Sequence, residues 1–113
     1  MTQAQAVQAY GTLMKIGGKV TGADAFALFR LRKRLREVVE FQVEEEQKLV
    51  DKYGGKVENG RILIPDAEKR AAFIAEHDAL GAMACDVEPV EAGTDGITMD
   101  EIETLDGFVT WRE

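Results

Sequence analysis

Only one cysteine, Cys85, occurs in the 113 residues, so no internal disulfide can form and the fold rests on its packed core. One histidine, His77, supplies no second soft ligand for a metal site, and no metal or other cofactor is expected. No run approaches the roughly 18 apolar residues that a membrane-crossing helix needs. The start of the chain has no basic segment followed by an apolar one, so an intracellular, reducing compartment is the expectation. Positive charge is scarce as well: 14 Lys and Arg stand against 21 Asp and Glu, a formal charge of −7. That average argues against general affinity for nucleic acid, whose phosphates demand a positive surface. Phosphate-binding patterns are missing too, since neither G-x-G-x-x-G nor Gly-Lys-Ser/Thr follows any of the glycine pairs. With no nucleophile, acid–base pair or metal set in view, a non-enzymatic role is expected.

What the chain does have is a divided charge and one long helix. Residues 1–36 carry seven basic side chains against the single Asp24, a net +6, whereas residues 37–113 carry seven basic and twenty acidic ones, a net −13. From Ala23 to Tyr53 neither Pro nor Gly interrupts a stretch of strong helix formers. Leu28, Leu31, Leu35, Val38, Val39, Val43, Leu49, Val50 and Tyr53 fall on one broad stripe of that helix. At 1.5 Å per residue it reaches about 45 Å, longer than a small core covers unaided.

The other elements follow from start and stop signals. Thr2 caps a short amphipathic helix within 1–17 whose apolar positions are Ala6, Val7, Tyr10, Leu13 and Met14, ended by Gly17-Gly18. Thr21 and Asp24 have the spacing of a capping pair for the long helix, 22–53, and Gly54-Gly55 stops it. Asn59-Gly60 between two β-prone pieces predicts a hairpin over 56–64. Pro65-Asp66 opens a return helix, 65–81, which can cover half of the long one as an antiparallel helical hairpin. Alternation over 84–91 predicts an edge strand limited by Pro89. Thr98 and Glu101 make a capping box for a short helix over 98–106, and 108–111 reads as a terminal strand. The class is α+β in a single domain, 1–113.

Three groups of residues could carry function. Arg30, Arg32, Lys33, Arg34 and Arg36 place five cations in seven residues, which could hold an anion or a protein partner. Their ordinary alternative is a solvated face paired at i,i+4, Lys33 with Glu37 and Arg36 with Glu40. Phe26, Phe29 and Phe41 lie off the main stripe and ask for a second contact surface, either the N-terminal helix or another subunit, while Gln42 and Glu46 interrupt it with polar groups, so the five are candidates for an oligomer interface. Polar groups so placed need partners and often set register in helix pairs. Arg32 lies about 21 Å from Glu46 along one helix, so the two would meet only between antiparallel copies; a homo-oligomer is therefore expected. Glu44, Glu45 and Glu46 with His77 and Asp78 lack the i,i+3 Glu–His spacing of helical metal sites. Glu44 instead pairs with Lys48, and Cys85 reads as a packing residue.

The segment from Phe41 through Lys52-Tyr53-Gly54, the Asn59-Gly60 hairpin, the return helix and the closing Leu105-Asp106-Gly107-Phe108 resemble small uncharacterised tailed-phage and prophage proteins that carry a domain of unknown function. The resemblance spans roughly 5–110 and assigns no functional residue. It implies a phage or prophage origin and action in the bacterial cytoplasm or in the virion. Phage proteins of this size are often binders, so the resemblance implies an inhibitor of host defence or metabolism, a sponge for an anionic nucleotide signal through the basic stretch 30–36, or a virion or assembly component. A non-catalytic protein that works by protein contacts is the leading expectation.

Overall fold

Thr2 opens the first helix with a complete capping box: its hydroxyl accepts from the Gln5 amide, and the Gln5 side chain accepts from the Thr2 amide. The computed structural model describes residues 1–112. Its elements are α1 (Gln3–Ile16), α2 (Gly22–Lys52), β1 (Lys56–Glu58), β2 (Arg61–Leu63), α3 (Ala67–Gly81), β3 (Val90–Gly93), α4 (Met99–Thr104) and β4 (Val109–Arg112). This is an α+β fold with two small separate sheets, β1–β2 antiparallel and β3–β4 parallel.

Local chemistry explains most boundaries. Asn59 (φ 51°) and Gly60 (φ 76°) both take left-handed backbone, the conformation of a two-residue hairpin turn that matches strand twist. Asp66 caps α3 by accepting from the Lys69 amide at 2.9 Å, and Thr98 and Glu101 form the box that starts α4. At the start of α2, Thr21 is the cap residue, but its side chain makes no capping hydrogen bond. Asp24 is drawn instead into an ion pair with Arg112 at the far end of the chain, which removes it from the expected pair.

The expected strand over 84–91 is divided. Ala84 forms an isolated bridge with Thr2, residues 85–89 run without ladder pairing, and β3 begins only at Val90. Pro89 has no amide to donate, and Val90 supplies the first bond instead, to the Phe108 carbonyl at 3.1 Å. From there Val90 pairs with Val109 and Gly93 with Arg112. Because parallel strands cannot be joined by a tight turn, α4 serves as their crossover.

The main core joins α1, the first half of α2, β3, β4 and the α4 end through Ala6, Ala9, Leu13, Ile16, Leu28, Leu31, Leu35, Ala92, Leu105 and Phe108. The buried face of α1 is centred on Ala6, Ala9, Leu13 and Ile16, while Met14 points outward. On α2 the apolar stripe holds except at Val43, which lies at its edge and stays 61% exposed. A second, smaller cluster of Val50, Ile64 and Phe73, flanked by Leu49, Tyr53 and Ile62, holds the distal end. The molecule is elongated, 51 × 27 × 22 Å, because α2 runs through both.

Gly55 sits where the distal cluster closes. A Cβ there would lie 3.0 Å from Ile64 Cγ1, 3.2 Å from the Leu63 carbonyl and 3.2 Å from Val50 Cγ1. Gly55→Ala is therefore expected to destabilise by about 1–3 kcal/mol through overpacking. Urea unfolding of the variant checks this, and an unchanged midpoint would contradict the close approach.

Candidate binding grooves along the long helix

The five clustered cations separate once α2 is wound. Arg30, Lys33 and Arg34 line an open groove of about 740 Å³ with Phe26, Phe29, Glu37 and Val38, while Asp86, Val87 and Glu88 form its other wall. Arg34 anchors that wall: its NH1 donates to the Glu88 carbonyl at 2.9 Å, and NH2 lies 4.0 Å from the Glu88 carboxylate. Arg32 turns to another side. It lies over the Phe29 ring at 5.5 Å, contacts Met14 Sδ at 3.7 Å and edges a small hollow beside α1. Arg36 lines neither opening.

Among the described residues, neither Lys33–Glu37 nor Arg36–Glu40 closes to an ion pair; Lys48 pairs with Glu45 at 2.8 Å rather than with Glu44. The basic run is thus neither a single anion cradle nor a zipped surface. It supplies three cations to a groove that also presents three carboxylates. Phe26 and Phe29 remain 63% and 49% exposed there, and Phe41, also exposed, lies outside the groove.

Glu46 finds its partner within the chain. Its Oε2 lies 2.7 Å from His77 Nε2, and the His77 ring stacks on Phe73 with centroids 5.5 Å apart. Glu46 thus has a partner within its own chain, where the sequence suggested Arg32 of a second copy: α3 returns alongside α2 and brings His77 across 31 residues of sequence. Gln42 is different. It is 8% exposed, and its Oε1 meets no donor. Gln42, Glu46, His77 and Asp78 border a second cleft of about 640 Å³ between α1, α2 and α3.

Cys85 packs. Its Sγ approaches the Thr2 carbonyl at 3.6 Å, and burial pushes the thiol above its ordinary pKa, away from a reactive thiolate. Elsewhere Glu101 accepts from the Thr98 amide and lies 3.2 Å from Lys19 Nζ, so its carboxyl is held below the usual range, first by the amide. No group of three His, Cys, Asp or Glu gathers as a metal set among the described residues.

The structure adds what the sequence reading missed. Asp86, Val87 and Glu88 complete the first groove about fifty residues from the cations, and no local spacing signals it. Asp78 enters the second cleft only because α3 ends against α1. No helix of the described residues is long and apolar enough to cross a membrane. Comparison with protein-family models, with curated proteins and with solved structures finds no match for the chain.

Proposed function

We propose that this chain is a non-catalytic binding protein that works through protein contacts, with the groove beside the first half of α2 as its contact surface. The observation that carries this is the pair Phe26 and Phe29, two aromatic rings left largely in water inside a groove rimmed by charge. Exposed aromatics of this kind supply anchor area at interfaces, where charged rims set orientation. The charge balance favours a polypeptide: Arg30, Lys33 and Arg34 are offset by Glu37, Asp86 and Glu88. A polyphosphate seated there would face those three carboxylates, so the reading as an anionic nucleotide sponge is the weaker one.

In the wider reading the protein is a phage or prophage accessory factor acting in the bacterial cytoplasm on a host protein, such as one of the host's defences. α2 and α3 then serve as an antiparallel helical hairpin that holds the groove on a rigid rod. Contacts of Glu46 with His77 at 2.7 Å and of Lys52 with Glu76 at 2.9 Å support that pairing. With Glu46 partnered internally, the exposed phenylalanines are assigned to a foreign protein rather than to a second copy.

The test is capture from bacterial lysate by the full chain and by the Phe26→Ser/Phe29→Ser variant. Wild type is expected to retain one stoichiometric partner, and the double variant to bind it on the order of a hundredfold more weakly. Melting of the variant should stay within a few degrees of wild type, since Phe26 is largely exposed and Phe29 gives up only its contacts with Arg32 and the hollow beside α1. Equal capture by both proteins would remove the groove from the reading; a partner that leaves only with nucleotide would revive the sponge.

A further inference from the structure

We propose that the cleft between the start of α1, the middle of α2 and the end of α3 binds an organic ammonium ion: a primary amine carried on an aliphatic stem. Two unfavourable features meet in this one place. Gln42 sits nine-tenths buried on the apolar side of α2 with an amide oxygen that meets no donor, an arrangement that costs stability unless a donor arrives. Asp78 stands, solvent-exposed, in the last turn of α3, the negative end of the helix dipole, and that turn carries no basic residue. Asp78 makes no ion pair among the described residues.

The cleft gathers these groups with Glu46, whose carboxylate is held by His77. Among the described residues no Lys or Arg lines it, and Lys52, further along α2, is committed to Glu76 at 2.9 Å. The site therefore offers a neutral acceptor without a donor, the unpaired carboxylate of Asp78 beside the His77-held carboxylate of Glu46, and a helix C-terminus, with no Lys or Arg among its described lining residues. An ammonium group, with three donors and no acceptor, is the ligand chemistry that these acceptors share. A divalent metal does not fit, because no three ligating side chains converge. Val7 and Ala82 in the same wall give an alkyl stem an apolar bed, and about 640 Å³ is ample for a short diamine.

Titration of the full ¹⁵N-labelled chain with 1,4-diaminobutane and with n-butylamine, at matched ionic strength, tests the site. Saturable shifts of the Gln42 side-chain amide and of the Gly81 and Ala82 backbone amides are expected. Asp78→Asn should weaken binding about tenfold or more, the loss of one charge-assisted hydrogen bond. Gln42→Leu should weaken it as well, while its melting temperature equals or exceeds wild type, which separates lost binding from lost folding. Glu103→Gln, which removes the same charge from an equally exposed position outside the cleft, should leave affinity within about twofold. Shifts spread over the acidic surface without saturation, equal weakening by Glu103→Gln, or equal binding of n-butanol would overturn the proposal.

Discussion

Phe108→Ala is expected to cost about 3–5 kcal/mol, the range for emptying the place of a fully buried aromatic ring. Phe108 is 1% exposed and stands at the junction of three elements. Its amide donates to the Leu105 carbonyl at 3.0 Å, and its carbonyl accepts from Val90 at 3.1 Å, so the backbone at this residue ties the end of α4 to β3 just before β4 begins. The ring lies in the same cluster as Leu13, Leu31 and Leu35. Shrinking it leaves a cavity that β3 and β4 cannot collapse into without breaking the parallel register of Val90 with Val109. Against a total stability of roughly 5–15 kcal/mol for a domain of this kind, the variant should be near the edge of folding at 37 °C. Urea unfolding followed by circular dichroism and by the fluorescence of Trp111 is the measurement. A loss below about 1 kcal/mol would show that the main core does not depend on the β3–β4 pair.

Phe73→Ala should produce a loss of similar size at a different scale of structure. Phe73, 7% exposed, shares its cluster with only two other fully buried residues, Val50 and Ile64. The contacts that surround them, Lys52 with Glu76 and Lys48 with Glu45, are solvent-exposed ion pairs, which contribute little. The ring also supports His77, stacked on it at 5.5 Å, and through it the bond to Glu46. Removing it should let β1, β2 and α3 open as a unit while α1, β3 and β4 stay protected. Native-state amide exchange is expected to speed up on the order of a hundredfold over residues 56–81, with little change over residues 3–16. Uniform acceleration along the whole chain would mean that the two clusters unfold as one.

The contrast between these variants also marks how far the sequence could be read. Periodicity and punctuation place the helices well: α2 runs Gly22–Lys52 where 22–53 is expected, and α3 runs Ala67–Gly81 where 65–81 is expected. Asn59-Gly60 and the Thr98–Glu101 box act locally, so their structures follow from a few neighbouring residues. The strand over 84–91 is misplaced because its pairing partner lies at 109–112, and a ladder is a property of two segments, not one. Asp24 has the right spacing to cap α2, yet Arg112, a full charge brought near by the fold, outcompetes the exposed amides.

The candidate sites divide in the same way. Winding α2 alone sorts Arg30, Lys33 and Arg34 from Arg32 and Arg36, since helical geometry is fixed at 100° per residue. By itself, then, the sequence determined the four helices, the hairpin turn, the apolar stripe of α2 and the separation of positive from negative charge. It also identified Phe26, Phe29, Gln42 and Glu46 as side chains in need of explanation. Only the tertiary structure decided how each was met: the phenylalanines stay in water beside Asp86 and Glu88, Glu46 takes His77, and Gln42 is left without a donor at a cleft that Asp78 shares. The reason is that propensity and periodicity act over a few residues, whereas the Glu46–His77 contact spans 31 positions and the Asp24–Arg112 contact 88, both set by which surfaces bury together.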